Sequence, residues 1–330
     1  MNKEIAFLGE EDFLSAMQGE NKTWRDTYVE AGTLTVRGGL KLRYYHAKHP
    51  HPEGCIVFLH GFCEFWGKYH EYIWYLWQAG FTVYFLEQRG HGYSEGKLPQ
   101  KDIVYIDSYH TYVEDVHEFL DRVVVPQTKD LPRFLIAHSM GGAVSSLFLE
   151  KYEGYFAGAI LSSPMLRLKL GNMTPLQIRG AKLVTWLFHL QKKKAPGQPH
   201  FDPTPIFERS SALSRARYDY MFRQRIEDPH YQTYGASLGW GMAGENADRE
   251  LLRNAGKIRI PVTLMRAGQD ALVLPEGFDA FCRRAPQTRV IVYEDSRHEI
   301  FNALDETRIR YFRDVLDTLE GYLKNEKDAK

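Results

Sequence analysis

The chain has 330 residues, is 44% hydrophobic, and carries 42 basic against 42 acidic side chains. That length and apolar content suffice for one large domain plus an insertion, and the zero formal charge excludes a generally basic surface for nucleic acid or membrane. Cys55, Cys63 and Cys282 are odd in number and have neither disulfide nor metal-ligand spacing, so no metal or cofactor is expected.

Met1-Asn2-Lys3-Glu4 leads into no sustained apolar stretch, and Glu10, Glu11 and Asp12 follow. A secretory leader is therefore not expected, no run of about 18 apolar residues predicts a membrane span, and a cytoplasmic location is the expectation. Residues 1–30 read as a polar, partly helical extension, and residues 33–46 as a hairpin turning at Gly38-Gly39. A buried-type strand over 55–59 ends in His60-Gly61-Phe62-Cys63-Glu64, and a helix is expected around 71–78. The next strand, 81–87, runs into Gln88-Arg89-Gly90-His91-Gly92-Tyr93-Ser94. With no Lys-Ser/Thr after its glycines, this is a tight structural loop rather than a phosphate cradle. Tyr112, Val116, Phe119, Leu120 and Val123 share one face of a further helix.

The strand over 133–137 stops abruptly at His138-Ser139-Met140-Gly141-Gly142, and small residues then open a helix. A strand–serine–helix junction crowded with glycine holds the serine Oγ exposed at a sharp turn. The helix N-terminus behind it favours developing negative charge. A serine needs a histidine base, which needs an orienting carboxylate. Downstream, a strand over 260–267 is followed by Gly268-Gln269-Asp270, and a strand over 289–294 by His298, ahead of a helix beginning near Asp305. Asp295 and Glu294 share the strand end of His298 and read as turn-capping or solvated groups, and Asp279 as a solvated helix charge. Asp270 is the expected orienting residue. The order Ser139, Asp270, His298, each at the carboxyl end of a strand, is that of the α/β-hydrolases. In that fold the oxyanion donors are the N–H after the nucleophile and one from an early loop, here Met140 and Phe62.

Five segments together carry a family resemblance: His60-Gly61-Phe62-Cys63-Glu64, Gln88 to Ser94, Ala137-His138-Ser139-Met140-Gly141-Gly142, Gly268-Gln269-Asp270 and His298-Glu299. The chain resembles the monoacylglycerol lipase and bacterial lysophospholipase branch of the α/β-hydrolase superfamily from about residue 34 to 323. Departures from the pattern are Ala137 for glycine, Phe62 where small residues are frequent, and Glu87 for aspartate. The resemblance implies a mostly parallel sheet flanked by helices, with an inserted helical cap. It also implies a serine esterase that cleaves single-chain lipid esters through an acyl-enzyme. Its catalytic residues would be Ser139, Asp270 and His298. Esterases or peptidases of small non-lipid substrates and acyltransferases share such a triad, whereas a non-catalytic binding module predicts a damaged one.

The strand–helix alternation ceases between 165 and 255, a stretch rich in Arg, Pro and aromatics. This segment is the expected cap, with 1–164 and 256–330 forming the core. Within it, 176–194 carries Ile178, Leu183, Val184, Trp186, Leu187, Phe188 and Leu190 and ends in Lys192-Lys193-Lys194. Such a helix either lies on an anionic membrane or packs over the pocket with lysines complementing its C-terminus. The apolar residues spread around the helix, which fits burial at least as well. Arg215 and Arg217 are candidates for a lysophospholipid phosphate, but are more simply two exposed arginines on a helix.

Overall fold

A computed structural model of the chain describes residues 5–169 and 173–328. Met1-Asn2-Lys3-Glu4, read above as no part of a leader, lies outside the described residues. Eight strands form the main sheet: β1 (Val29–Thr35), β2 (Lys41–Ala47), β3 (Gly54–Leu59), β4 (Phe81–Leu86), β5 (Arg133–His138), β6 (Gly158–Ser162), β7 (Val262–Ala267) and β8 (Arg289–Tyr293). Their order is β1-β2-β4-β3-β5-β6-β7-β8. β2 is antiparallel to both of its neighbours, and every other pairing is parallel. The first hairpin turns where Gly38 and Gly39 take φ of 87° and 81°, angles that glycine adopts without steric cost.

Side-chain alternation along the strands divides the core into two layers. Cys55, Val57 and Leu59 of β3 and Leu135 and Ala137 of β5 face one side. They meet the helices Tyr109–Phe119, Met140–Lys151 and Leu238–Asn254. Ile56, Phe58, Phe134 and Ile136 face the other, against His70–Gln78 and Asp305–Asp328. Both faces are covered, so the central strands read as continuous apolar runs.

The N-terminal extension is a strap rather than a free tail. The Glu10 carboxylate accepts from Ala216 N at 2.7 Å and from Ser214 Oγ at 2.5 Å, at the start of the helix Arg215–Glu227. Beneath it, buried Glu71 takes the Arg217 guanidinium through two hydrogen bonds of 2.6 and 2.8 Å, and Arg308 lies 3.5 Å away. Leu8 O accepts from both arginines. Arg217, only 2% exposed, is therefore not the exposed helix arginine expected from the sequence. Arg215 is exposed and paired with Asp219.

The stretch expected to be cap does not behave as one unit. The helix Leu238–Asn254 buries Trp240, Ala243, Ala247 and Leu251 in the same layer as the core helices. The helix Pro175–Leu187 instead buries only Thr185 and exposes Leu176, Leu183, Trp186 and Leu187. It ends before Lys192, so the three lysines do not complement its C-terminus; Ile178 packs over the pocket as one alternative expected, but burial does not account for Leu176, Leu183, Trp186 and Leu187.

Glu71→Ala should destabilise the protein by about 3–5 kcal/mol, because it removes the buried carboxylate that two buried guanidinium groups share and leaves them only the less buried Glu10 and Asp305. A lower urea midpoint with an unchanged denaturant slope is the expected readout.

Candidate active site

β5 ends at His138, and Ser139 turns the chain into the helix Met140–Lys151 with φ 50° and ψ −115°, a backbone conformation that non-glycine residues rarely adopt. The turn closes because two glycines admit neighbouring backbone. A Cβ on Gly141 would stand 2.7 Å from His60 O, and one on Gly142 would stand 2.5 Å from Pro164 Cβ. Ala137, where glycine is usual, sits fully buried within β5 and leaves the turn intact. Ser139 N donates to Ser162 O and Met165 N to Ser139 O, at 3.1 and 2.9 Å, tying the strained residue to β6 and the segment after it.

Three loops then converge. Asp270 follows β7 and His298 follows β8. His298 Nδ1 lies 2.7 Å from Asp270 Oδ2, and its Nε2 lies 2.8 Å from Ser139 Oγ. A carboxylate can only accept, so Nδ1 carries the ring proton and Nε2 presents a lone pair to the serine hydroxyl. Asp270 Oδ1 is occupied by the N–H groups of Leu272 and Val273 at 2.9 and 3.1 Å. Burial would raise the Asp270 carboxyl, but His298 and these N–H groups outweigh it and hold the group below the ordinary aspartate value. Glu294, Asp295 and Asp279 are exposed.

Behind the histidine lies a buried ionic cluster that the sequence reading did not identify. Lys68 Nζ bridges Glu64 Oε1 at 2.6 Å and Glu299 Oε1 at 2.8 Å. Glu64 Oε2 also accepts from Gly61 N and Tyr69 OH and lies 3.2 Å from His138 Nδ1. Burial alone would lower the Lys68 ammonium and raise the Glu64 carboxyl. The two carboxylates hold Lys68 above its usual value, and Lys68 with His138 holds Glu64 well below its own. The signal in the sequence was two acids abutting the motifs, Glu64 after the His60 loop and Glu299 after His298.

The loop after β3 is equally constrained. His60 Nδ1–H donates to Gly61 O at 2.7 Å, and its Nε2 accepts from Gln88 N at 2.9 Å. Burial pushes this imidazole down to about 4, so it stays neutral. Among the described residues, neither Phe62 N–H nor Met140 N–H, the first of its helix, has a protein acceptor. The Phe62 ring packs 4.1 Å from that of Trp240, and both residues line the cavity.

Ser139 lies in the wall of a cavity of about 670 Å³, lined largely by apolar groups such as Met165, Ile178, Trp240, Met242 and Leu272. Such a volume suits a ligand of lipid size. Of the charged groups there, Glu245 is engaged by Lys182 and by Arg249. Among the described residues no cluster of His, Cys, Asp or Glu could hold a metal ion, and no helix is long and apolar enough to cross a membrane.

Comparison with known proteins gives this geometry a context. The chain is similar to lysophospholipase L2 of Escherichia coli K12, with 25% identity over 304 residues covering 89% of this chain and 88% of that protein. It is also similar to monoglyceride lipase of Homo sapiens, with 27% identity over 269 residues covering 80% and 81%. Among solved structures, a soluble variant of Saccharomyces cerevisiae monoglyceride lipase in complex with a substrate analog superposes with a TM-score of 0.72. That match has 19% identity and covers 90% of this chain and 96% of that one. The family model described as serine aminopeptidase, S33 (Hydrolase_4) matches residues 50–305, a span that takes in Ser139, Asp270 and His298. The chain therefore belongs to the Hydrolase_4 family and has the α/β-hydrolase fold.

Proposed function

We propose that this protein is a serine hydrolase that cleaves the carboxylic ester of single-chain lipids, lysophospholipid or monoacylglycerol, through an acyl-enzyme. The observation that carries the reading is the Ser139–His298–Asp270 hydrogen-bond chain opening on a largely apolar cavity. Ser139 Oγ attacks the ester carbonyl while His298 Nε2 takes its proton. The Phe62 and Met140 N–H groups receive the oxyanion of the tetrahedral intermediate. Collapse expels the alcohol, which takes the proton from His298, and leaves the acyl group on Ser139. Water, deprotonated by the same imidazole, then releases the fatty acid. The relatives named lysophospholipase and monoglyceride lipase support the same substrate class.

The family description raises aminopeptidase activity as a second reading. A free α-ammonium needs an available carboxylate, and Glu245 in the cavity wall is already paired with Lys182 and Arg249. That pairing favours the ester. Nor is Arg217 free for a phosphate headgroup, since Glu71 holds it.

The helix Pro175–Leu187 lines the cavity with Ile178, Ala181 and Thr185 while turning Leu176, Leu183 and Trp186 to solvent, at 77%, 62% and 65% exposure. Exposed Lys192 and Lys193 follow it. A lipid surface is the partner that matches an apolar face edged by cations and continuous with a lipid-sized cavity, and we assign this face to peripheral membrane contact.

For wild type, kcat/KM should rise with acyl length by up to about fourfold per methylene until the cavity is filled. Ser139→Ala should abolish turnover, and comparison of glycerol with glycerophosphocholine esters should name the headgroup. Ser139-independent hydrolysis, or none on any ester, would sink the reading. Asp270→Asn should lower kcat about 10⁴-fold in steady-state assays. Its amide N–H would face Nδ1 and drive the ring proton to Nε2, where a base needs its lone pair. In sedimentation with phosphatidylserine vesicles, Leu183→Ser with Trp186→Ser should weaken binding roughly tenfold, with turnover of a soluble short-chain ester preserved.

A further inference from the structure

The described residues hold a buried cation that the reaction above does not use. Arg225, on the helix Arg215–Glu227 of the insertion, is buried with 6% exposure, and among the described residues no carboxylate lies within ion-pair distance of it. Its Nη2 donates to Cys63 O and its Nη1 to Thr233 O at 2.8 Å, while Nε lies 3.2 Å from Met221 Sδ. The rings of Phe65 and Tyr234 lie 5.2 and 5.6 Å from the guanidinium carbon. A buried cation met by carbonyls, a thioether and ring faces, with no carboxylate, is costly. Simple anchoring of this helix is already supplied by Arg217 on Glu71.

The place where Arg225 acts is unusual as well. Cys63 has φ 57°, a left-handed conformation for a residue with a Cβ. It directly follows Phe62. On the other side of Phe62, Glu64 holds the Gly61 N–H, and His60 holds the Gly61 carbonyl, which shares its peptide unit with the Phe62 N–H. Phe62 thus sits between two held carbonyls, that of Gly61 on the core side and that of Cys63 bound by the insertion.

We propose that Arg225 is a positioning residue for the oxyanion hole: by holding the Cys63 carbonyl it fixes the left-handed turn that presents the Phe62 N–H to the substrate. A planar guanidinium can serve the Cys63 and Thr233 carbonyls at once while its faces pack on rings. A lysine ammonium matches only part of this arrangement, and a methionine none of its hydrogen bonds. The insertion then does more than cover the cavity, because one of its helices holds half of the electrophilic site in register.

The inference rests on the serine-hydrolase reading, and its test separates the two. Wild type, Arg225→Lys and Arg225→Met are compared on a medium-chain p-nitrophenyl ester and its thiono analogue, with active sites counted by fluorophosphonate titration. A sulfur in place of the carbonyl oxygen accepts hydrogen bonds poorly, so the oxo-over-thiono preference reports the oxyanion hole itself. Arg225→Met should lower kcat per active site about 10²-fold, the scale of a lost or misplaced oxyanion donor. KM should change by less than about threefold, the oxo-over-thiono preference should shrink by roughly tenfold, and Arg225→Lys should recover part of both losses. Unchanged kcat per site, a rise in KM alone, or a fall in kcat with the preference intact overturns the proposal. If Arg225→Met does not fold, Arg225→Lys against wild type carries the same comparison of kcat and preference. An active wild type with an unaltered preference in the variants overturns this inference alone. A wild type without Ser139-dependent turnover overturns the function and this inference together.

Discussion

Everything at the candidate site depends on one strained residue, Ser139, held between the end of β5 and the start of the helix Met140–Lys151 with its φ at 50°. Such a backbone persists only where the surroundings over-determine it. Here the constraint is close approach: backbone at Leu59 and His60 passes where a Cβ on Gly141 would lie, and Pro164 presses on Gly142. The hydrogen bonds of Ser139 to Ser162 O and from Met165 N complete the clamp. The strain so held keeps Oγ in the cavity wall, 2.8 Å from His298 Nε2. It also leaves the Met140 N–H, the first of that helix, without a protein acceptor among the described residues.

Around that point the protein uses buried charge as scaffolding. Lys68 joins Glu64 to Glu299, and Glu64 in turn holds Gly61 N and stands beside His138, whose Nε2 is 3.4 Å from the carbonyl of His298. The loop of Phe62 and the loop of His298 are therefore braced by one ionic network. A second network, Glu71 with Arg217 and Arg308, joins the N-terminal strap, the insertion and the C-terminal helix. Buried ion pairs add little net stability over apolar packing, but they are unforgiving of displacement. That property suits loops whose relative positions must hold to a fraction of an ångström.

The insertion separates into parts with opposite physical character. The helix Arg215–Glu227 is pinned by Glu10, Glu71 and the Cys63 carbonyl. The helix Pro175–Leu187 has one face along the cavity and a broad apolar face in solvent. Leu238–Asn254 belongs with the core layer. Under the proposed function, the anchored part steadies the site and the outward apolar part is the face assigned to the lipid surface.

Much of this was legible from the residues alone, and the reasons are local. The serine between a strand and small residues, and the order of Ser139, Asp270 and His298 at strand ends, follow from turn chemistry and from the period of the apolar pattern, which adjacent residues carry. The alternation of β3 and β5 residues between two core layers follows in the same way. Arg217 and Arg225, on one short helix, could not be told from solvated arginines, because their partners Glu71 and Cys63 lie far away in the chain. Nor could the outward face of Leu176, Leu183 and Trp186, since periodicity marks an apolar helix without saying what covers it. The sequence by itself determined the fold and the order in which Ser139, Asp270 and His298 follow their strands, which rest on short-range pattern. Only the tertiary structure decided which charges are buried, what braces the Phe62 loop and which apolar face is left open, because each depends on contacts between segments distant in the chain.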